Sequence, residues 1–196
     1  MILIIIIIII IFFLYYYNQS YYPTDNMIYE MATFDNNLYL VRDLRDKSKS
    51  ANIIAKCKYN IIKLINYLND NVDQFSEFKD NIKNSIDKIN NIEIMETSSD
   101  KNDYKTTSYT INKKTIIFCI RSKTFDTIHD ENTLMYVLIH EMAHVLNPKI
   151  GHGQDFKDIF KFLLQQSIKI NIYRAVDYSK TPVKYCGMEI EEYLLD

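Results

Sequence analysis

Residues 138–144 read Leu-Ile-His-Glu-Met-Ala-His, and a second short stretch, Gly-His-Gly, follows at residues 151–153. The chain has four histidines. Three of them lie in these two stretches: His140, His144 and His152. Residues four apart in an α-helix lie one turn apart on the same face. The first stretch therefore predicts two imidazoles that point in the same direction, with a glutamate beside them.

The surrounding sequence predicts that this motif lies on a helix. Residues 132–146 contain no Gly or Pro, begin beside the candidate N-caps Asp130 and Asn132, and end before Pro148, which cannot continue a helix. Apolar residues recur at steps of three and four, which predicts a buried stripe: Leu134, Leu138, Met142 and Val145. The polar residues of the motif then occupy an adjoining face.

Two histidines and a glutamate at the spacing H-E-x-x-H are typical of a zinc-dependent peptidase. The two imidazoles are zinc ligands in such sites, and Glu141 is placed to act as the general base on a zinc-activated water. The chain has only three glycines and three prolines, yet Pro148, Gly151 and Gly153 all surround His152. We therefore predict a turn that brings His152 to the metal as the third ligand.

Asp155 is an alternative third ligand. It is also placed to cap the helix that begins near Gln154, or to hydrogen-bond a liganding imidazole from outside the ligand set. No glutamate occurs between Glu141 and Glu189, so the next helix offers no glutamate ligand. A histidine cluster that binds no metal, either on the surface or hydrogen-bonded in the core, is the alternative to the whole site.

The two stretches resemble the metal site of SprT-like and WLM-type metallopeptidases, in which H-E-x-x-H is followed by a glycine-flanked histidine and an aromatic residue. They are especially similar to metallopeptidase-like proteins of giant DNA viruses, and the likeness covers about residues 92–190. The resemblance implies the zincin fold, one catalytic Zn2+, Glu141 as general base and three ligands: His140, His144 and His152. The chain lacks the C-x-x-C ribbon of SprT-like proteins. Its gap between the second and third histidines is longer than in WLM-type proteins.

Composition limits the other classes of function. A chain of 196 residues is long enough for one domain with appendages. Lys and Arg number 23 against 25 Asp and Glu, so the sequence gives no evidence of a nucleic-acid surface. Cys57, Cys119 and Cys186 are odd in number and widely spaced, which argues against a disulfide framework and for a reducing compartment.

The N-terminus is strongly apolar. Residues 1–14 are entirely hydrophobic and include nine isoleucines, and residues 15–17 are tyrosines. The segment has no basic start and no small-residue cleavage site, so we predict an uncleaved transmembrane signal-anchor helix over residues 1–17. This predicts a single-pass protein in a host or viral membrane, of undetermined orientation. A buried strand or core helix is the alternative.

The expected fold class is α+β: a zincin-like domain over residues 49–196, preceded by a tether over residues 18–48 that includes a short strand near Leu38. A small antiparallel sheet would pack on the H-E-x-x-H helix and further helices. The expected elements are helices over residues 51–68 and 75–89, a strand over 92–96, a solvated loop over 98–104, and a hairpin of 106–111 with 115–121 turned at 112–114.

These features predict a membrane-anchored zinc metallopeptidase that acts on a protein or peptide substrate, which one strand of the hairpin would bind by main-chain pairing. The expected donor to the oxyanion is one of four residues: Tyr173, Arg174, Tyr178 or Tyr185. Two alternatives remain. One is a SprT/WLM-like protease acting on DNA-crosslinked proteins. The other is a non-catalytic, zinc-binding, membrane-tethered adaptor, although a structural zinc site normally needs four ligands.

Overall fold

The structure is a computed structural model that describes residues 26–98 and 107–195, together with Ile6 and residues 8–10. In the two long ranges the elements are β1 (Met27–Met31), β2 (Leu38–Arg42), α1 (Lys47–Asp70), α2 (Lys79–Lys83), α3 (Ile86–Asn90), β3 (Glu93–Glu96), β4 (Tyr109–Ile111), β5 (Thr115–Phe118), α4 (Glu131–Leu146), α5 (Gln154–Lys169), β6 (Val183–Tyr185) and β7 (Met188–Ile190). The α+β fold class is confirmed.

The strands form three small sheets. β1 and β2 form one antiparallel hairpin, and β6 and β7 form another. The third sheet has the order β3-β5-β4, in which β5 pairs parallel with β3 and antiparallel with β4. The sheet beside the H-E-x-x-H helix is therefore mixed rather than antiparallel as expected. This order places β4 at an edge of the sheet.

Helix α1 is the centre of the core. Its buried residues follow helical spacing and include Ile54, Ile61, Leu64 and Leu68, all with no exposed surface. The helix contacts the β1–β2 hairpin on one side and β3, α4 and α5 on others. It runs from residue 47 to residue 70, which is longer than the predicted 51–68 because its polar ends continue the same helix.

Two predicted segments take a different form. Part of the expected tether is the β1–β2 hairpin, whose Val41 is fully buried against the core. The helix expected over residues 75–89 is divided into α2 and α3, preceded by two 3-10 turns. Ser85 lies at the break, and its buried Oγ donates to the Val145 carbonyl of α4 over 3.4 Å. Serine favours such a break because its hydroxyl competes with the helix for backbone groups.

The predicted N-terminal transmembrane helix and the membrane localisation based on it are wrong. Among the residues that the structure describes, no helix is long and apolar enough to cross a membrane. A helix of seventeen residues rises only about 25 Å, less than the ~30 Å hydrocarbon core of a bilayer. Most of residues 1–17 lie outside the described residues.

A buried ion pair joins the β3 strand to the loop after β5. Arg121 Nε donates to Glu96 Oε1 over 2.8 Å, and their side chains are 2% and 1% exposed. The guanidinium also contacts Asp46 over 2.8 Å and donates to Ser50 Oγ, and so reaches the start of α1. The backbone N–H of Arg42 in β2 donates to Glu96 Oε2 over 2.9 Å. These contacts tie together four segments that are far apart in sequence.

A disulfide joins Cys119, just after β5, to Cys186, in the turn between β6 and β7. The expectation that the cysteines form no disulfide is therefore wrong. The two residues are 67 apart in sequence, so only the folded chain brings them together. Cys57 is free and buried on α1.

We expect Glu96→Ala to lower the free energy of unfolding by about 3–5 kcal/mol, because it leaves the Arg121 charge buried without its fully buried partner. Urea denaturation followed by circular dichroism measures this change. The control is Asp73→Ala, which removes the exposed partner of Lys79 and should cost no more than about 1 kcal/mol. Equal effects for the two variants would show that the buried pair contributes no more than a surface pair.

Candidate metal centre

Helix α4, which carries the H-E-x-x-H motif, is held in place by a capped N-terminus and a buried face. Asp130 caps its start by accepting hydrogen bonds from the N–H groups of Asn132 and Thr133, both over 3.0 Å. The predicted stripe is buried, with Leu134, Leu138 and Met142 at 0% exposure and Val145 at 1%. Because this stripe cannot rotate out of the core, His140 and His144 are held on the face that opens to solvent.

The C-terminal end of α4 is held by side chains from other elements. The carbonyl of Leu146 accepts from Asn81 Nδ2 over 3.1 Å, and the carbonyl of Asn147 accepts from Lys113 Nζ. Helix ends leave carbonyls without partners inside the helix, and these donors satisfy them. The turn of helix that carries His144 is therefore anchored on both sides.

The turn after α4 carries His152 back to the helix. Gly151 has a φ of +93°, a left-handed conformation that favours glycine. Gly153 has a φ of −64° and is the N-cap residue of α5, so it adopts a backbone conformation open to other residues. Of the two glycines singled out in the sequence, only Gly151 is required by its backbone angle.

The three imidazoles meet at one point. His152 Nε2 lies 3.1 Å from His140 Nε2 and 3.1 Å from His144 Nε2. Tetrahedral zinc sites with Zn–N distances of 2.0–2.1 Å place ligand nitrogens about 3.3 Å apart. His152 Nε2 carries at most one hydrogen and cannot donate to both neighbours. Three imidazole nitrogens this close together therefore fit a shared cation better than a set of hydrogen bonds.

Aromatic rings from α5 hold the imidazoles in place. The Phe156 ring centroid lies 4.4 Å from that of His144, 4.8 Å from that of His140 and 4.7 Å from that of His152. Phe160 adds a second contact to His140, at 5.1 Å. These rings restrict the rotation of the imidazoles and exclude water from one side of the cluster.

The surroundings keep two of the histidines neutral. Burial, reinforced by the neighbouring His144 and His152, lowers the pKa of His140 to about 3. Burial, with His152 and Lys113 nearby, lowers the pKa of His144 to about 4. An imidazole must be neutral to offer a lone pair to a metal. Both side chains are therefore in the ligand form at neutral pH.

Glu141 lies beside the histidines and is 4% exposed. Burial raises the pKa of its carboxyl group to about 7, and a hydrogen bond from Thr110 opposes this rise. The bond joins Thr110 Oγ1 to Glu141 Oε2 over 2.7 Å. Burial thus makes this carboxylate a stronger base than an exposed glutamate.

Asp155 does not join the cluster. Among the described residues, the three histidines are the group whose ligand atoms approach closely enough to share a metal ion. The Asp155 carboxylate instead pairs with Lys149 Nζ, in an exposed position on the first turn of α5. The N-cap residue of that helix is Gly153 and not Asp155. The structure therefore brings His152, and not Asp155, to the first two histidines.

A cleft of about 1440 Å³ opens over this cluster. One wall is the stretch of chain at residues 107–110, which includes the start of edge strand β4, and another is formed by the β6–β7 hairpin and residues 191–192. Exposed carboxylates lie along the second wall: Glu189, Glu191 and Glu192. The histidines and Glu141 thus face a space large enough for a segment of polypeptide.

The four candidate oxyanion donors fall in different places. Of these, only Tyr185 lines the cleft. Its hydroxyl donates to the Cys119 carbonyl over 2.5 Å and lies 2.6 Å from Ser108 Oγ. Tyr173 and Tyr178 are buried against the ring of Tyr136. The hydroxyl of Tyr185 is therefore used to hold the cleft wall.

Sequence reasoning missed several residues of the cleft, among them Tyr136, Thr110 and Lys113. Tyr136 lies one helical turn before His140, and that spacing was a signal that could have identified it. Thr110 and Lys113 reach the site from the β4–β5 hairpin, about thirty residues earlier in the chain, and no local pattern identifies either one.

No protein-family model matches the chain, and no solved structure matches it. Three viral proteins are similar. An uncharacterized protein of invertebrate iridescent virus 3 is 39% identical over 106 residues, which is 54% of this chain and 60% of that protein. An uncharacterized protein of invertebrate iridescent virus 6 is 44% identical over 82 residues, or 40% of this chain and 44% of that protein.

The third relative matches over most of both chains. It is an uncharacterized protein of Acanthamoeba polyphaga mimivirus, and it is 39% identical over 168 residues. The match covers 85% of this chain and 84% of the mimivirus protein. On this evidence the chain belongs to the same protein family as that mimivirus protein.

Proposed function

We propose that this protein is a zinc-dependent metallopeptidase, with His140, His144 and His152 as the zinc ligands and Glu141 as the general base. One observation carries the proposal: His140 Nε2 and His144 Nε2 each lie 3.1 Å from His152 Nε2, beside a buried carboxylate and under an open cleft. The resemblance to SprT-like and WLM-type metallopeptidases gives the same set of residues.

The donor set suits a catalytic zinc rather than a structural one. Structural zinc sites are closed by four protein ligands, whereas catalytic sites use three and leave one position open. Within the described part of the chain, the cluster comprises three histidines and no fourth ligand. When bound, zinc supplies Lewis acidity that makes a water molecule more acidic and polarises a substrate carbonyl.

The chain's own residues perform the remaining tasks. Glu141 accepts a proton from the attacking water on one carboxylate oxygen and passes it to the leaving amine. Phe156 and Phe160 keep water from one side of the imidazoles. The edge position of β4, beside the cleft, favours the binding of an extended peptide by main-chain pairing. This feature supports a peptide rather than a small molecule as substrate.

We expect Glu141→Gln to retain zinc but to lower kcat/KM for a quenched-fluorescent peptide library by about 100- to 10,000-fold, because it removes the base and no ligand. Metal content is measured by mass spectrometry on the same preparations. The matched control is Glu131→Gln on the first turn of the same helix, where the side chain is 63% exposed, and it should leave both properties unchanged. A zinc-loaded wild-type protein that cleaves no peptide in the library would refute the peptidase proposal.

A second pair of variants tests the ligand set. We expect His152→Ala to weaken zinc binding by more than about 100-fold, since two imidazoles cannot hold the ion in an open tetrahedral site. Asp155→Asn should change the dissociation constant by less than about 10-fold, because even residues that hydrogen-bond a ligand change affinity by only about 10- to 100-fold, and Asp155 pairs with Lys149 instead.

Competition with a fluorescent chelator measures both dissociation constants. If His152→Ala bound zinc with normal affinity and Asp155→Asn did not bind it, the third zinc ligand would be Asp155 and not His152.

A further inference from the structure

Strand β4 contributes a hydroxyl group to the proposed general base. We infer that Thr110 is a positioning residue, which holds one oxygen of the Glu141 carboxylate so that the other oxygen faces the reacting water. This inference rests on the proposed function. It adds a residue that lies 31 positions before Glu141 in the chain and outside the zinc-binding motif.

The contact is short and isolated. Thr110 Oγ1 donates to Glu141 Oε2 over 2.7 Å, which is a normal length for a hydroxyl bonded to a carboxylate. Among the described residues, Thr110 is the one side chain that donates a hydrogen bond to the Glu141 carboxylate. Glu141 is 4% exposed, so bulk water has little access to replace the hydroxyl.

Thr110 is well suited to fix the orientation of the Glu141 carboxylate. Threonine is branched at Cβ, so its side chain has few rotamers on a strand. The backbone of Thr110 pairs with Ile116 in β5, and Ile116 is fully buried. The strand that carries the hydroxyl is thus paired with β5, the central strand of the sheet. The carboxylate it holds lies on α4, whose apolar stripe is fixed in the core.

A glutamate needs such a partner, because the terminal torsion of its side chain is broad and roughly two-fold. Without the hydroxyl, the carboxylate can rotate and offer the proton-accepting oxygen in unproductive directions. With Oε2 engaged, Oε1 is left to receive the proton. The loss of Thr110 should therefore act on the chemical step and leave substrate binding and zinc binding largely intact.

A purely structural role predicts a different result. If the hydrogen bond only satisfies a buried carboxylate, its loss lowers stability, and the molecules that remain folded turn over normally. The separation of kcat from KM, and rescue by another hydroxyl, distinguish the two roles.

The first experiment uses the full-length, zinc-loaded chain and the peptide that the wild type cleaves best. We expect Thr110→Val, which is nearly isosteric, to lower kcat by about 10- to 100-fold, the equivalent of one lost hydrogen bond to a charged group. KM should change by less than about twofold. Thr110→Ser restores the hydroxyl and should recover kcat to within about threefold of wild type.

The matched control is Thr115→Val. Thr115 is also a strand threonine whose hydroxyl donates to a glutamate, Glu93, over 3.4 Å, but that pair is exposed and outside the cleft. Its kcat should equal that of wild type. Unchanged kcat in Thr110→Val, or equal losses in the Val and Ser variants, would overturn the positioning role.

The second experiment needs neither zinc nor activity. A double-mutant cycle of Thr110→Val and Glu141→Ala in the metal-free protein, measured by urea unfolding, should show effects on the unfolding equilibrium constant that depart from additivity by about 10-fold. Additive effects would show that the two side chains do not interact, and would overturn the inference even for an active enzyme.

The two experiments distinguish failure of this inference from failure of the proposed peptidase function. A wild-type protein that binds zinc but cleaves no peptide refutes the proposed function, and with it any effect of Thr110 on catalysis. A coupled cycle together with the expected loss of kcat in Thr110→Val supports both.

Discussion

Helix α4 must bury one face in the core and present another face to the cleft. Its stripe from Leu134 to Val145 is buried to 1% exposure or less, while three of its residues line the cleft: His140, Glu141 and His144. A 3.6-residue period allows this, because residues at steps of three and four share a face. The core fixes the rotation of the helix, and this rotation sets where His140, Glu141 and His144 point.

Burial has opposite effects on the two kinds of group in this site. The same withdrawal from water lowers the pKa of His140 and raises the pKa of Glu141, because in each case it disfavours the charged form. For an imidazole the neutral form is the metal ligand, and for a carboxylate a raised pKa means a stronger base. One desolvated pocket therefore prepares both groups for the chemistry we propose.

The C-terminal part of the chain completes the cleft through a few strong ties. The β6–β7 hairpin is joined to the end of β5 by the Cys119–Cys186 disulfide and by the hydrogen bond from Tyr185 to the Cys119 carbonyl. Two residues after Cys119, the Arg121–Glu96 pair ties the loop that follows β5 to β3, and the same guanidinium reaches the start of α1. The disulfide and the Tyr185 hydrogen bond hold the β6–β7 wall of the cleft beside a site whose histidines and Glu141 lie on α4 and in the turn that follows it.

The sequence by itself determined the features that depend on the spacing of neighbouring residues. Helix α4, its cap at Asp130, its buried stripe, the turn that carries His152 and the β4–β5 hairpin could all be predicted, because each depends on residues near one another in the chain. The apolar N-terminal run shows the limit of this reasoning. Composition suggested a membrane span over residues 1–17, yet no described helix is long and apolar enough for one.

Only the tertiary structure decided which distant groups meet. The contact of Thr110 with Glu141, the Cys119–Cys186 disulfide and the parallel pairing of β3 with β5 leave no periodic trace in the sequence. Helical and strand periodicity specify which face a side chain occupies, but the packing of whole elements decides what lies opposite that face.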